Sequence, residues 1–166
     1  MIIGLTGKQQ VGKDTLAEYL HNKHHYQKMA FADHLKRVCR GYLGWDGKKD
    51  VRGRTLLQQI GIAAREYHPD IWIEQVDFMM RHIELGSEES NSGKSNIQWV
   101  ISDVRFKNEA DWITAKGGII IRIIRDTGII DTHISETEMD EYHPDYVIDN
   151  NRTMESMFTV MERIIR

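Results

Sequence analysis

The residues best suited to chemistry stand near the start of the chain, in MIIGLTGKQQVGKDTLAEYL. Gly7, Gly12 and Lys13 fall on the spacing G-x-x-x-x-G-K of a loop that cradles phosphate, with an apolar run before it and an amphipathic stretch after it. Phosphate oxygens need many donors at close range. Glycine lets backbone N–H groups approach them, and the dipole of a helix that starts beneath the loop favours the anion. Lys13 adds the positive charge that reaches the β- and γ-phosphates. Where a hydroxyl usually follows the lysine this chain has Asp14, and the hydroxyl comes one residue later as Thr15. Three roles suit Asp14: a magnesium ligand, a partner to magnesium through water, or a helix cap while Thr15 touches the α-phosphate.

These side chains need elements to hold them. Apolar, largely β-branched runs at residues 2–5, 28–32, 97–102, 118–124 and 146–148 read as strands. Segments of helical period separate them, one starting at about Asp14 and ending near His21. Leu56, Ile60, Ala63, Ala64 and Tyr67 share one helical face, and Trp72, Val76, Met79 and Ile83 another. Phe106, Ala110 and Ile113 make a shorter stripe that Gly117 ends. Met154, Met157, Phe158, Met161, Ile164 and Ile165 line the last helix. Residues 86–95, GSEESNSGKS, read as a surface loop, and residues 126–144 are acidic and His-containing without a period. Five strands alternating with helices predict an α/β fold: a five-stranded parallel sheet covered on both faces, in three α/β/α layers.

In such sheets ligands bind beyond the carboxyl ends of the strands. That rule selects residues 7–15, 33–36, 103–105, 125 onward and 149–153. Asp103 ends the third strand, where a second magnesium-orienting carboxylate belongs, or where a helix cap before Phe106 would stand. Arg105 should face the same crevice, and Lys13, Arg105 and Arg125 are the cations that these strand ends offer to phosphate oxygens. Asp33 and Lys36 would line a neighbouring pocket, or either stands alone as a solvated charge. Arg54 and Arg65 lie on a helix between the second and third strands, and Trp72 serves either as core or as a base-stacking platform.

Composition narrows the function. A chain of 166 residues supports one domain, and 40% hydrophobic with 28% charged residues is ordinary for a globular protein. The net charge of −3 and the lack of a long basic block argue against a duplex-binding protein. A single cysteine, Cys39, permits no internal disulfide and fits a reducing compartment, and the eight histidines lack ligand spacing. No apolar run approaches the ~20 residues of a membrane span. The expectation is a cytoplasmic protein without nucleic-acid or membrane partners, with a homodimer compatible with the sequence.

GKQQVGKDT, FADHLK, LLQQIG with Arg65 and IW behind it, SDVRFKNEA, HISETEMD and YVIDNN occur in that order over nearly the whole chain. Together they resemble the phage-type deoxynucleoside monophosphate kinases, relatives of adenylate kinase and other P-loop nucleoside monophosphate kinases. The resemblance implies a single kinase domain over residues 1–166, with an acceptor-binding insert at 33–95 and a lid-like segment at 125–145. It would lie in the host cytoplasm if phage-encoded. It implies transfer of the γ-phosphoryl of ATP, with Mg2+, to a deoxynucleoside 5′-monophosphate. Gly7, Lys8, Gly12, Lys13, Asp14, Thr15 and Asn151 would hold ATP, and Asp14, Thr15 and Asp103 the metal. Asp33, Lys36, Arg65, Trp72, Arg105 and Glu136 would meet the acceptor, Glu136 either directly or by steadying an arginine. The lid-like segment holds Glu136, Glu138, Asp140 and Glu141 and no arginine, so a lid arginine would have to be Arg122 or Arg125. A different small-molecule kinase, of phosphomevalonate or dephospho-coenzyme A type, and a non-catalytic nucleotide-binding phage protein are the alternatives.

Overall fold

A computed structural model describes residues 1–89, 97–129 and 132–166. The chain divides into two compact units, Met1–Met29 with Asn96–Arg166, and Ala30–Ser95.

The first unit is built on five parallel strands: β1 (Ile2–Thr6), β2 (Gln27–Met29), β3 (Trp99–Val104), β4 (Ile119–Ile124) and β5 (Tyr146–Asp149), in the order β2-β3-β1-β4-β5. β1 lies at the centre, with Ile3 opposite Val100 on one side and Ile119 on the other. All five of its residues are buried, as a strand covered on both faces must be. One face carries α1 (Lys13–His24) and α7 (Met154–Ile164). Leu16, Ala17 and Leu20 from α1 and Met157 and Met161 from α7 close over Ile3, Leu5, Ile121, Ile123 and Ile148 in a single apolar core. The opposite face carries α5 (Lys107–Ala115), whose Ile113 presses on the sheet where glycines leave room. A Cβ on Gly4 would stand 2.7 Å from Ile113 Cδ1, and one on Gly118 would stand 2.7 Å from Ile113 Cγ2. The unit therefore has the expected three α/β/α layers.

Because the chain leaves β1 for one face and β3 for the other, a crevice opens between the carboxyl ends of these two neighbours. A short helix, α6 (Ile134–Thr137), lies in the stretch between β4 and β5.

The second unit packs α2 (Ala32–Leu43), α3 (Val51–Tyr67) and α4 (Ile71–Glu89) around Leu35, Cys39, Trp45, Trp72, Val76 and Met80. Asp50 caps α3 by accepting from the Gly53 N–H at 2.8 Å.

Several boundaries differ from expectation. β2 is only three residues long, because the chain turns at Ala30, whose carbonyl accepts from the Asp33 N–H, and enters α2. β3 starts at Trp99, in register with Ile2, and runs on to Val104. On α4 the buried stripe is Trp72, Ile73, Val76 and Met80, while Ile83 is exposed. Tyr67, at the end of α3, points to solvent with 90% exposure, and Met154 at the start of α7 is exposed as well. Residues 86–89 continue α4 instead of forming a loop, and the rest of that predicted loop, 90–95, lies outside the described residues. No helix among the described residues is long and apolar enough to cross a membrane.

Candidate active site

The turn from β1 into α1 has the backbone a phosphate loop requires. Gly7 has φ +136° and Gly12 φ +108°, regions that side chains rarely enter. A Cβ on Gly7 would come within 2.3 Å of the Ile123 carbonyl, so the loop lies directly on the end of β4. α1 begins at Gly12, which offers no capping side chain, and its first-turn N–H groups are left for another acceptor. Asp14 stands inside that turn, exposed beside Thr15, so the capping role considered for it does not arise.

Lys13 turns back over the loop. Its Nζ donates to the carbonyls of Gly7 and Lys8, both at 2.6 Å, and the residue is 8% exposed. Burial, with the Arg105 guanidinium second, lowers its pKa to about 8, while the nearby Asp14 and Asp103 carboxylates pull the other way. Four predicted residues, two from the start of α1 and two from the end of β3, are thus electrostatic neighbours. The N-cap of α5 is Phe106, and Glu109, buried at 1% exposure, accepts from the N–H groups of both Arg105 and Phe106 at 2.8 and 3.1 Å. The capping work falls to Glu109, and Asp103 sits three residues earlier, half-buried at the end of β3.

The acidic stretch around α6 is fastened to this centre. Arg105 pairs with Glu136, whose side chain is 7% exposed, and donates to the Ser135 carbonyl at 3.0 Å. Lys8 donates to the Asp140 carboxylate and to the Glu136 carbonyl, each at 2.6 Å. Arg122 donates to the carbonyls of Met139, Asp140 and Tyr142. Of the two roles open to Glu136, the structure shows the steadying of an arginine. Of the two candidate lid arginines, Arg122 is engaged as a strut, and Arg125 stands exposed past the end of β4. Both arginines, with Lys8, Arg105, Glu136 and Asp140, line a pocket of about 370 Å³ at the ends of β1, β3 and β4. Glu136 Oε2 is buried with no hydrogen-bond partner among the described residues.

Beyond β5, Asn151 accepts from the Asp126 N–H at 2.8 Å and donates to Asp149 at 2.7 Å, tying the exits of β4 and β5 together. The remaining candidates belong to the second unit. Lys36 and Asp33 pair at 2.9 Å on α2. Arg65 and Trp72 both donate to the Gly61 carbonyl, at 3.2 and 3.4 Å. Trp72 is 4% exposed, so protein covers its ring. Among the described residues no group of three or more His, Cys, Asp or Glu side chains is clustered to hold a metal.

Sequence reasoning passed over Glu109 as a backbone anchor, Arg122 as a strut and Asn150 altogether as a single residue. A signal existed only for Glu109, a carboxylate three residues after a helix N-cap.

A family description, deoxynucleotide monophosphate kinase, matches residues 47–161 of the chain. A protein of Acanthamoeba polyphaga mimivirus named "Putative deoxynucleotide monophosphate kinase" is 32% identical over 180 residues, covering 96% of this chain and 93% of its own length. Among solved structures, the shikimate kinase of Aquifex aeolicus aligns with a TM-score of 0.47 at 12% identity, covering 99% of this chain and 96% of its own. A protein from Thermus thermophilus aligns with the same score at 13% identity.

Proposed function

Since the chain belongs to the deoxynucleotide monophosphate kinase family, we propose that its phosphate loop and crevice transfer the γ-phosphoryl of ATP to a deoxynucleoside 5′-monophosphate. An oxygen of the acceptor phosphate attacks the γ-phosphorus, the bond to the β-phosphate oxygen breaks, and deoxynucleoside diphosphate and ADP leave. The acceptor's second pKa is about 6, so it is mostly dianionic at neutral pH and no general base is needed. The protein's task is to bring two polyanions together and to stabilise the charge spread over the transferring group.

The observation that carries this reading is Lys13 folded into a glycine-shaped loop, with Asp14, Asp103 and Arg105 as its electrostatic neighbours. In use, Lys13 leaves the two carbonyls it now holds and meets the β- and γ-phosphates, assisted by the loop N–H groups from Gly7 to Thr15. Arg105 and Arg125 supply charge from the ends of β3 and β4. Asp14, Thr15 and Asp103 suit Mg2+, which takes one or two protein oxygens and fills its remaining positions with phosphate and water, so a cluster of three acids is not required. The metal would neutralise charge on the transferring phosphates. Asn151 serves the nucleoside end of ATP. Asp33, Lys36 and Arg65 of residues 33–95 serve the acceptor, with Trp72 as the buried support of that wall. A small-molecule acceptor fits this set, and residues 125–145 serve as the lid-like segment.

The test is ADP release in a coupled assay against a panel of deoxynucleoside and ribonucleoside monophosphates, with Mg2+ present and chelated. Turnover with at least one deoxynucleoside monophosphate is expected. ATP binding without turnover on any acceptor would refute the proposal.

A further inference from the structure

A trans peptide points its N–H and C=O in opposite directions. Any peptide of the phosphate loop that aims its N–H at a ligand must therefore send its carbonyl the other way, and a buried carbonyl needs a donor. At the peptide joining Val11 to Gly12 the donor is Asn150, whose Nδ2 lies 2.8 Å from the Val11 oxygen. Both residues are buried, Val11 at 1% and Asn150 at 4% exposure. Asn150 is well fixed. It follows β5 directly, and its own N–H donates at 2.8 Å to the carbonyl of Ile124, the last residue of β4. Its side-chain nitrogen also sits 2.6 Å from the place a Cβ on Gly12 would take. Glycine at position 12 is thus required by Asn150 as well as by the approach of a phosphate.

We propose that Asn150 is a positioning residue for phosphoryl transfer: by drawing the Val11 carbonyl outward it aims the Gly12 N–H into the phosphate cradle, and it ties that cradle to the exits of β4 and β5. The inference rests on the phosphate-loop reading above. It makes Asn150 act through Gly12, without touching the substrate. It also links the loop to the segment where Asn151 serves the nucleoside, so the two ends of ATP are registered by adjacent residues.

Replacement by aspartate tests the direction of the hydrogen bond. Ionised, Asn150→Asp sets an acceptor against the Val11 carbonyl. Protonated, the same group regains a donor, and burial beside Asp149 favours protonation at moderately low pH. Affinity for ATP and for inorganic tripolyphosphate is measured by calorimetry on wild type, Asn150→Asp and Asn150→Ala, each expressed relative to wild type at the same pH. Both variants are expected to bind about tenfold more weakly near neutral pH, the effect of one lost hydrogen bond. Asn150→Asp should recover towards about pH 5, while Asn150→Ala should not. Deoxynucleoside monophosphate affinity should stay within about twofold of wild type. Wild-type affinity in both variants with only a lowered melting temperature, or parallel pH profiles for the two, would overturn the inference. If neither variant folds, the wild type decides: tripolyphosphate should move the Gly12 amide proton resonance downfield while the Asn150 side-chain amide stays protected from exchange, and a silent Gly12 overturns the inference. Failure of the wild type to bind tripolyphosphate at all would refute the phosphate-loop reading instead.

Discussion

Lys13 is the residue in which the cost and the use of the site meet. Burial and Arg105 bring its pKa from 10.5 to about 8. Below that value the lysine is charged in both folded and unfolded chains, and the full burial cost is present. Between about 8 and 10.5 the unfolded chain holds the proton and the folded chain releases it, so stability rises with pH across that window. Binding of ATP runs the opposite way, because the phosphates need the charged form. ATP affinity of the free protein should fall as pH rises through about 8, by roughly tenfold one unit above it. Lys13→Arg should show a flat profile over the same range. Calorimetry across the window checks this, and identical profiles for the two proteins would remove Lys13 from the phosphates. Arg105 makes a different demand. Its guanidinium serves Glu136 and the Ser135 carbonyl together, a fork that lysine cannot reproduce. Arg105→Lys should lose about 2–4 kcal/mol in kcat/KM for the monophosphate, with ATP affinity little changed. Near-normal kinetics in a protein of lower melting temperature would make Arg105 a structural residue only.

At the scale of elements, residues 133–142 take up cations that the proposed nucleotide site also uses. Lys8 is held by Asp140 and Arg105 by Glu136, while Arg122 grips the carbonyls of Met139, Asp140 and Tyr142. In the proposed function the first two contacts would set protein carboxylates against phosphate and the third would not, so the stretch would exchange ionic partners while Arg122 keeps it attached. The Lys8–Asp140 pair is about half-exposed and so worth little to stability, at most about 1 kcal/mol. Asp140→Asn should leave the melting temperature nearly unchanged and tighten ATP binding by about two- to fivefold. Weaker ATP binding in that variant would mean that Asp140 helps the nucleotide and does not compete with it.

At the scale of the whole molecule, the candidate donor residues fall in the sheet-containing unit, and Asp33, Lys36 and Arg65 in the helical unit of residues 30–95. The proposed labour divides along the same line. Arg65→Ala should raise KM for the deoxynucleoside monophosphate several-fold and leave the Kd for ATP unchanged. Asp103→Asn should raise the Mg2+ concentration for half-maximal rate and leave monophosphate affinity unchanged. Effects this separate should add in the double variant. Measured on the same assay, a shift of ATP affinity in Arg65→Ala or an unchanged Mg2+ profile in Asp103→Asn contradicts the assignment.

Much of the fold was legible in the sequence because its signals are local. A buried parallel strand needs a short β-branched run, and β1, β3 and β4 announced themselves in that way, whereas the edge strand β2, Gln27–Met29, carries no β-branched residue and overlaps its predicted run only at 28 and 29. The phosphate loop was legible for the same reason, since the left-handed backbone at Gly7 and Gly12 leaves a mark in residue type. Helix faces in residues 30–95 were read less well. Periodicity there states that one side is apolar without stating which apolar residues the neighbours reach, and Tyr67 and Ile83 were left outside.

What tertiary structure alone decided were the pairings across long stretches of chain. Asn150 meets Val11 across 139 positions, Lys8 meets Asp140 across 132, and Arg105 meets the Ser135 carbonyl across 30. No local preference selects such partners. They are set by strand order, which brings β1 between β3 and β4 and β5 beside β4, and by the need of each buried donor and acceptor for a partner within reach. The sequence by itself determined that a loop with phosphate-binding spacing, shaped by Gly7 and Gly12, would follow β1. The sheet determined that the carbonyl behind that loop would be held by the asparagine that follows β5, and that the arginine after β3 would pair with a glutamate.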